Sequence, residues 1–177
     1  MNSEQPSTIS STRYESARAA VRVGDVVTRY LRAGVGRPVL LLRGSQEPDL
    51  FWSGLAAGLA ERVRVIVPEL SEPFADFSGW LLAFLEGLGL HSVGVVAEDA
   101  AGLAAIAFAL AEPDRIQQIV LLTVASSEPA DNDPGFGEPL APRGLAVPLL
   151  IVPRDAADLL GQVTRFLTAG PGPASPP

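Results

Sequence analysis

The chain has no cysteine, no lysine and a single histidine. Without cysteine there can be no disulfide, no iron-sulfur ligation and no cysteine-based zinc site. One histidine cannot build a histidine-rich metal centre, so zinc hydrolysis is excluded and no metal or cofactor is expected. Positive charge is also scarce: 13 arginines face 20 acidic residues, for a formal charge of −7. That balance argues against nucleic acid or an anionic membrane as a partner. The arginines are not concentrated in one segment and read as coding bias. Long apolar runs are missing too. The longest, Ala100 to Ala111, lies between Asp99 and Glu112, is too short to span a bilayer, and reads as a buried helix. No basic start followed by an apolar stretch opens the chain, so no signal peptide is read and a cytoplasmic location is expected.

What is present is apolar: 47% of the 177 residues are hydrophobic, enough for the core of one compact domain. The polar stretch 1–15 and the Pro/Gly-rich stretch 169–177 are expected to be flexible tails around a domain at 16–168. Val21 to Val23 and Val26 to Leu31 flank Gly24-Asp25, a hairpin signal between β-branched runs. Pro38 to Leu42, Val63 to Val67, Ser92 to Val96, Ile119 to Leu122 and Pro148 to Val152 are short, continuously apolar runs. Such runs suit parallel strands covered on both faces. Helical patterns fall between them: Leu50 to Arg62, Ser78 to Leu90 with Leu81, Phe84, Leu85 and Leu88 on one stripe, and Ala156 to Leu167. The alternation predicts an α/β domain with a doubly wound, mostly parallel sheet. Ligand chemistry in such sheets collects at the carboxyl ends of the strands, here near Arg43, Pro68, Asp99, Thr123 and Pro153.

Three segments, Pro38 to Gly44, Val63 to Leu70 and Val95 to Gly102, resemble the α/β-hydrolase superfamily, and the likeness runs from about Val21 to Leu167. The resemblance implies a minimal hydrolase-like fold lacking the lid and the last strand. In the third segment, Ala97-Glu98-Asp99-Ala100-Ala101 matches the strand-turn-helix nucleophile elbow, with small residues at both ends and Asp99 at the nucleophile position. Asp at that position resembles haloalkane dehalogenases and epoxide hydrolases, whose carboxylate attacks carbon. The spacing from Arg43-Gly44 to Trp52 is also similar to that of dehalogenases, which places Ser45 in an oxyanion or halide site. Ala100 stands where a dehalogenase carries Trp.

The resemblance also implies a histidine on a loop after an eighth strand, to activate the water that clears a covalent intermediate. In this sequence a helix follows Pro148 to Val152 almost directly, so the eighth strand and its histidine loop are expected to be absent. His91 precedes the fifth strand, at the amino end of the sheet. Asp155 and Asp158 bracket the family's acid position, and each also reads as a helix N-terminal acid. Val124 to Ala146 stands for a reduced lid and reads as a loop.

Glu98 beside Asp99 puts two carboxylates at one turn. Arg43 would neutralise Asp99 or hold an anionic substrate; the alternative is an ion pair with Glu98 or Glu69. Trp52 is a candidate for substrate binding, while Trp52 and Trp80 also suit core or rim packing. One functional reading is a non-canonical enzyme of small-molecule metabolism. In it Asp99, Glu98 and Arg43 are the catalytic groups, and Ser45, Ala100 and Trp52 are the substrate or oxyanion contacts. Cyclisation, isomerisation or lyase chemistry fits this set. The other reading is a non-catalytic binding or assembly partner. The expected partners are a small-molecule ligand and a second copy of the chain, paired through the edge strand 148–152.

Overall fold

The computed structural model describes residues 16–43, 50–70, 76–123 and 143–169. They form β1 (Ala17–Val23), β2 (Val26–Ala33), β3 (Pro38–Leu42), α1 (Leu50–Ala60), β4 (Arg64–Pro68), α2 (Phe77–Gly87), β5 (Val93–Glu98), α3 (Asp99–Ala111), β6 (Ile116–Thr123), β7 (Leu149–Pro153) and α4 (Leu159–Ala169). All seven strands lie in one sheet ordered β1-β2-β4-β3-β5-β6-β7. β1 pairs antiparallel with β2, and β2 with β4; every later pairing is parallel. This is the expected α/β architecture.

The central strands are apolar at successive positions because helices cover both faces. Leu40, Leu42, Ile66 and Val95 join Phe84 of α2 and Phe108 of α3 in one core. The alternate residues Val39, Leu41, Val65 and Val96 join Leu55 and Leu59 of α1 and Val163 of α4 in the other. The hairpin forms as read: Val23 pairs with Val26, and Gly24 takes a φ of 58° that favours glycine.

Several boundaries differ from the sequence reading, each for a local reason. The helix expected to reach Leu90 stops at Gly87, because Gly89 turns left-handed at a φ of 66°. Its N–H donates to Glu86 O and that of Leu90 to Leu85 O, the pattern of a glycine-terminated helix. α1 closes at Ala60, with the N–H groups of Arg62 and Val63 both donating to Leu59 O. α4 begins at Leu159, after a turn at Pro153 to Ala156 closed by the Ala156 N–H on Pro153 O. β5 continues two residues past Val96, to Glu98. Between β2 and β3, Gly34 has a φ of 73° and passes so close to the end of α1 that a Cβ there would strike the carbonyl oxygens of Ala60 and Val63.

The tail expected at 1–15, residues 170–177 of the other tail and 124–142 of the reduced lid lie outside the described residues. Ala169, assigned to that second tail, is the last residue of α4. No helix among the described residues is long and apolar enough to cross a membrane.

Candidate functional site

β5 is buried at every position and passes directly into α3. Glu98 is the N-cap residue in extended conformation, with φ −129° and ψ 161°. Ala97 is fully buried and Ala101 is 2% exposed, and a Cβ on Gly102 would run into Leu121. Small side chains therefore let the helix start tightly against the sheet, which is the reason this short motif folds as an elbow. Asp99 opens α3 at the carboxyl end of the sheet. Its side chain, and the whole of Ser45, lie outside what the structure describes. Ala100 is exposed in the first helical turn. Leu42 pairs with Ala97, so the next residues, half-buried Arg43 and buried Glu98, leave neighbouring strands side by side.

Glu98 makes no side-chain cap on α3. Its carboxylate, in a residue only 5% exposed, accepts a 3.1 Å hydrogen bond at Oε1 from Trp52 Nε1. Oε2 lies 3.6 Å from Nη1 of Arg154. The same guanidinium stands 4.0 Å above the centre of the Phe51 ring, a cation–π geometry, and Phe51 meets Trp52 edge-on. The backbone fixes Arg154 as well, its N–H donating to Thr123 O at 2.8 Å. One carboxylate thus ties together α1, the elbow and the turn after β7.

Glu98 and Trp52 are brought together, but as a buried pair. Trp52 is 4% exposed, so its indole is packed against Glu98. Trp80 packs too, stacked on Phe84 and donating to Thr28 Oγ1 at 3.2 Å. Asp158 lies at the surface, where it pairs with Arg165 at 3.0 Å, and Asp155 is exposed. His91 is exposed just before β5, at the opposite end of that strand from the elbow.

Arg154 is the site residue that the sequence reading passed over. Its signal was position: it follows β7 directly, at the carboxyl end of the sheet. Among the described residues, the contacts at this end of the sheet centre on Glu98, which Trp52 and Arg154 hold from α1 and from the turn after β7.

No family model matches the chain. It is 30% identical over 104 residues to a soluble epoxide hydrolase from Corynebacterium sp. (strain C12), covering 52% of this chain and 36% of that protein. An uncharacterized protein of Mycobacterium tuberculosis is also 30% identical over 104 residues, which are 51% of this chain and 30% of that one. The chain therefore spans about a third of the length of these curated relatives. Among solved structures, an epoxide hydrolase from Vigna radiata superposes with a TM-score of 0.56 at 24% identity, over 63% of this chain and 39% of that one. A carboxylesterase from Bacillus subtilis superposes with a TM-score of 0.55 at 21% identity, over 61% and 43%. With its sheet order and these likenesses, the chain has a minimal α/β-hydrolase-like fold, a single mostly parallel sheet with helices on both faces.

Proposed function

We propose that this α/β-hydrolase-fold protein is a non-canonical enzyme acting on small molecules, with Asp99 as its acid/base group or charge stabiliser. The observation that carries the reading is the division of labour at the elbow. Glu98 is buried and held by Trp52 and Arg154, which leaves the chemical role to Asp99 at the nucleophile position. The likeness to a soluble epoxide hydrolase supports an acid in that role. Full hydrolysis through a covalent ester does not fit, because the only histidine, His91, sits at the far end of β5.

Cyclisation, isomerisation and elimination each begin with a step this site can perform. The Asp99 carboxylate takes a proton from a carbon next to a carbonyl, and the electron pair left behind moves onto the carbonyl oxygen. In this reading Arg43 and the backbone N–H of Ala100 oppose the charge on that oxygen. The proton then returns to a different carbon, or leaves with a departing group.

The test incubates the full chain and Asp99→Asn with carbonyl-bearing small molecules, with products read by mass spectrometry. Conversion without the mass gain of water, reduced at least about a hundredfold by Asp99→Asn, is the expected result. An activity that survives Asp99→Asn intact overturns the assignment.

The second reading, a non-catalytic binding partner, draws on the same buried Glu98 and Trp52, which fill space beside the elbow. Small aromatic fragments that shift no amide resonance of residues 97–102 would favour it. We further propose that the protein pairs with a second copy through β7. This strand is a sheet edge, and Leu149, Leu150 and Ile151 are only half-buried there.

A further inference from the structure

The amino end of the sheet, opposite the elbow, gathers arginines that look dispersed along the chain. Arg32 lies near the end of β2, Arg37 just before β3, and Arg62 and Arg64 flank Val63 at the start of β4. Among the described residues none of the four makes an ion pair. In a chain with a formal charge of −7, four arginines without an ion pair among the described residues are conspicuous.

Two of the four converge. Arg32 pairs with Ile66 across the antiparallel β2-β4 ladder, and Arg64 lies two residues before Ile66 on β4. Side chains two apart share a face, so Arg32 and Arg64 are diagonal neighbours at about 7 to 8 Å. With Ala17, Ala33 and the turn Gly34-Val35-Gly36 they line a cleft of about 400 Å³, a volume suited to a small molecule. Arg64 is half-buried at the cleft, and among the described residues its buried Nε has no hydrogen-bond acceptor. Two arginines lining one cleft, neither in an ion pair among the described residues, are a donor set for an anion. Gly34 of that turn packs directly against the carbonyls of Ala60 and Val63.

We propose that this cleft binds the phosphate of a small phosphorylated molecule, at a site separated from the elbow by the length of the sheet. Phosphate is preferred over carboxylate because the guanidinium groups come from two different strands. A carboxylate presents one planar edge, whereas a tetrahedral phosphate presents oxygens in several directions. The small side chains of Ala17 and Ala33 leave room for the organic part.

The test titrates phenyl phosphate, benzoate and phenol into the full chain at low ionic strength, followed by calorimetry. Arg32→Gln and Arg64→Gln are compared with Arg29→Gln, whose side chain leaves the other face of β2. Saturable binding of phenyl phosphate is expected, weakened at least about tenfold by either of the first two substitutions and unchanged by the third. If Arg64→Gln fails to fold, the exposed Arg32→Gln decides alone. Three results would overturn the proposal: no saturable binding up to about 10 mM, benzoate binding as tightly as phenyl phosphate, or affinity left intact in Arg32→Gln. A single-stranded oligonucleotide that bound more tightly than phenyl phosphate would also overturn it, by making the patch a polymer-binding surface.

Discussion

Trp52 and Glu98 meet through a 3.1 Å hydrogen bond between residues 46 positions apart. Arg154 closes the far side of the same carboxylate at 3.6 Å. Trp52→Phe removes the donor while keeping an aromatic ring, and leaves Oε1 of a buried carboxylate without its partner. A loss of about 1 to 3 kcal/mol of folding stability is expected by urea denaturation. In a Glu98→Leu background the same substitution should cost clearly less, since no buried charge is left unpaired. Equal costs in the two backgrounds would show that the bond contributes nothing.

Glycine positions should separate by what surrounds them. Gly34→Ala forces a side chain into the Ala60 and Val63 carbonyls at a φ of 73°, so both strain and collision oppose it. Gly24→Ala meets nothing within 4 Å at a φ of 58° and should cost only about 1 to 2 kcal/mol of backbone strain. Thermal unfolding should therefore rank Gly34→Ala well below Gly24→Ala; the reverse order would contradict the packing of the β2-β3 turn on α1.

His91→Ala should leave any activity unchanged, because the residue is exposed at the opposite end of β5 from Asp99. Turnover of p-nitrophenyl esters or haloalkanes is not expected in either protein. An esterase rate that fell about a hundredfold in His91→Ala, the scale of a lost general base, would show that the histidine reaches the site.

Assembly through β7 is testable by sedimentation at micromolar concentration. Pro148 and Pro153 restrict pairing at the ends of the strand, which leaves Leu149 to Val152 as the pairing segment. A dimer dissociated by Ile151→Lys is the expected outcome. A monomer whose mass and solubility are untouched by that substitution would remove the edge from consideration.

The fold was legible wherever one residue type carries the physics. Continuous apolar runs marked β3 to β7, Gly24-Asp25 marked the hairpin, and the buried Ala97 and Ala101 lie where β5 passes into α3. Ala17 to Ala20 of β1 has no β-branched residue to signal a strand, and is held by pairing with β2. Helix α2 ended early because a left-handed Gly89 outweighed the apolar stripe that continued to Leu90. The partners of Glu98 could not be read from spacing, since Trp52 and Arg154 reach it only once α1 and β7 are docked. The same holds for Arg32 and Arg64, which become neighbours only through the β2-β4 ladder.

The position of β3 in the sheet also sets an order of events during folding. Its two neighbours, β4 and β5, both follow it in the chain, so β3 has no strand to pair with until those later segments have been made. Only the β1-β2 hairpin closes with a two-residue connection, and it can form within microseconds. The rest of the sheet waits on crossovers that join distant segments, which slows folding. During that interval Val39 to Leu42, almost wholly buried in the finished protein, is an exposed apolar strand with two open edges. A segment that the finished fold protects almost completely is thus open to aggregation while the chain is being synthesised.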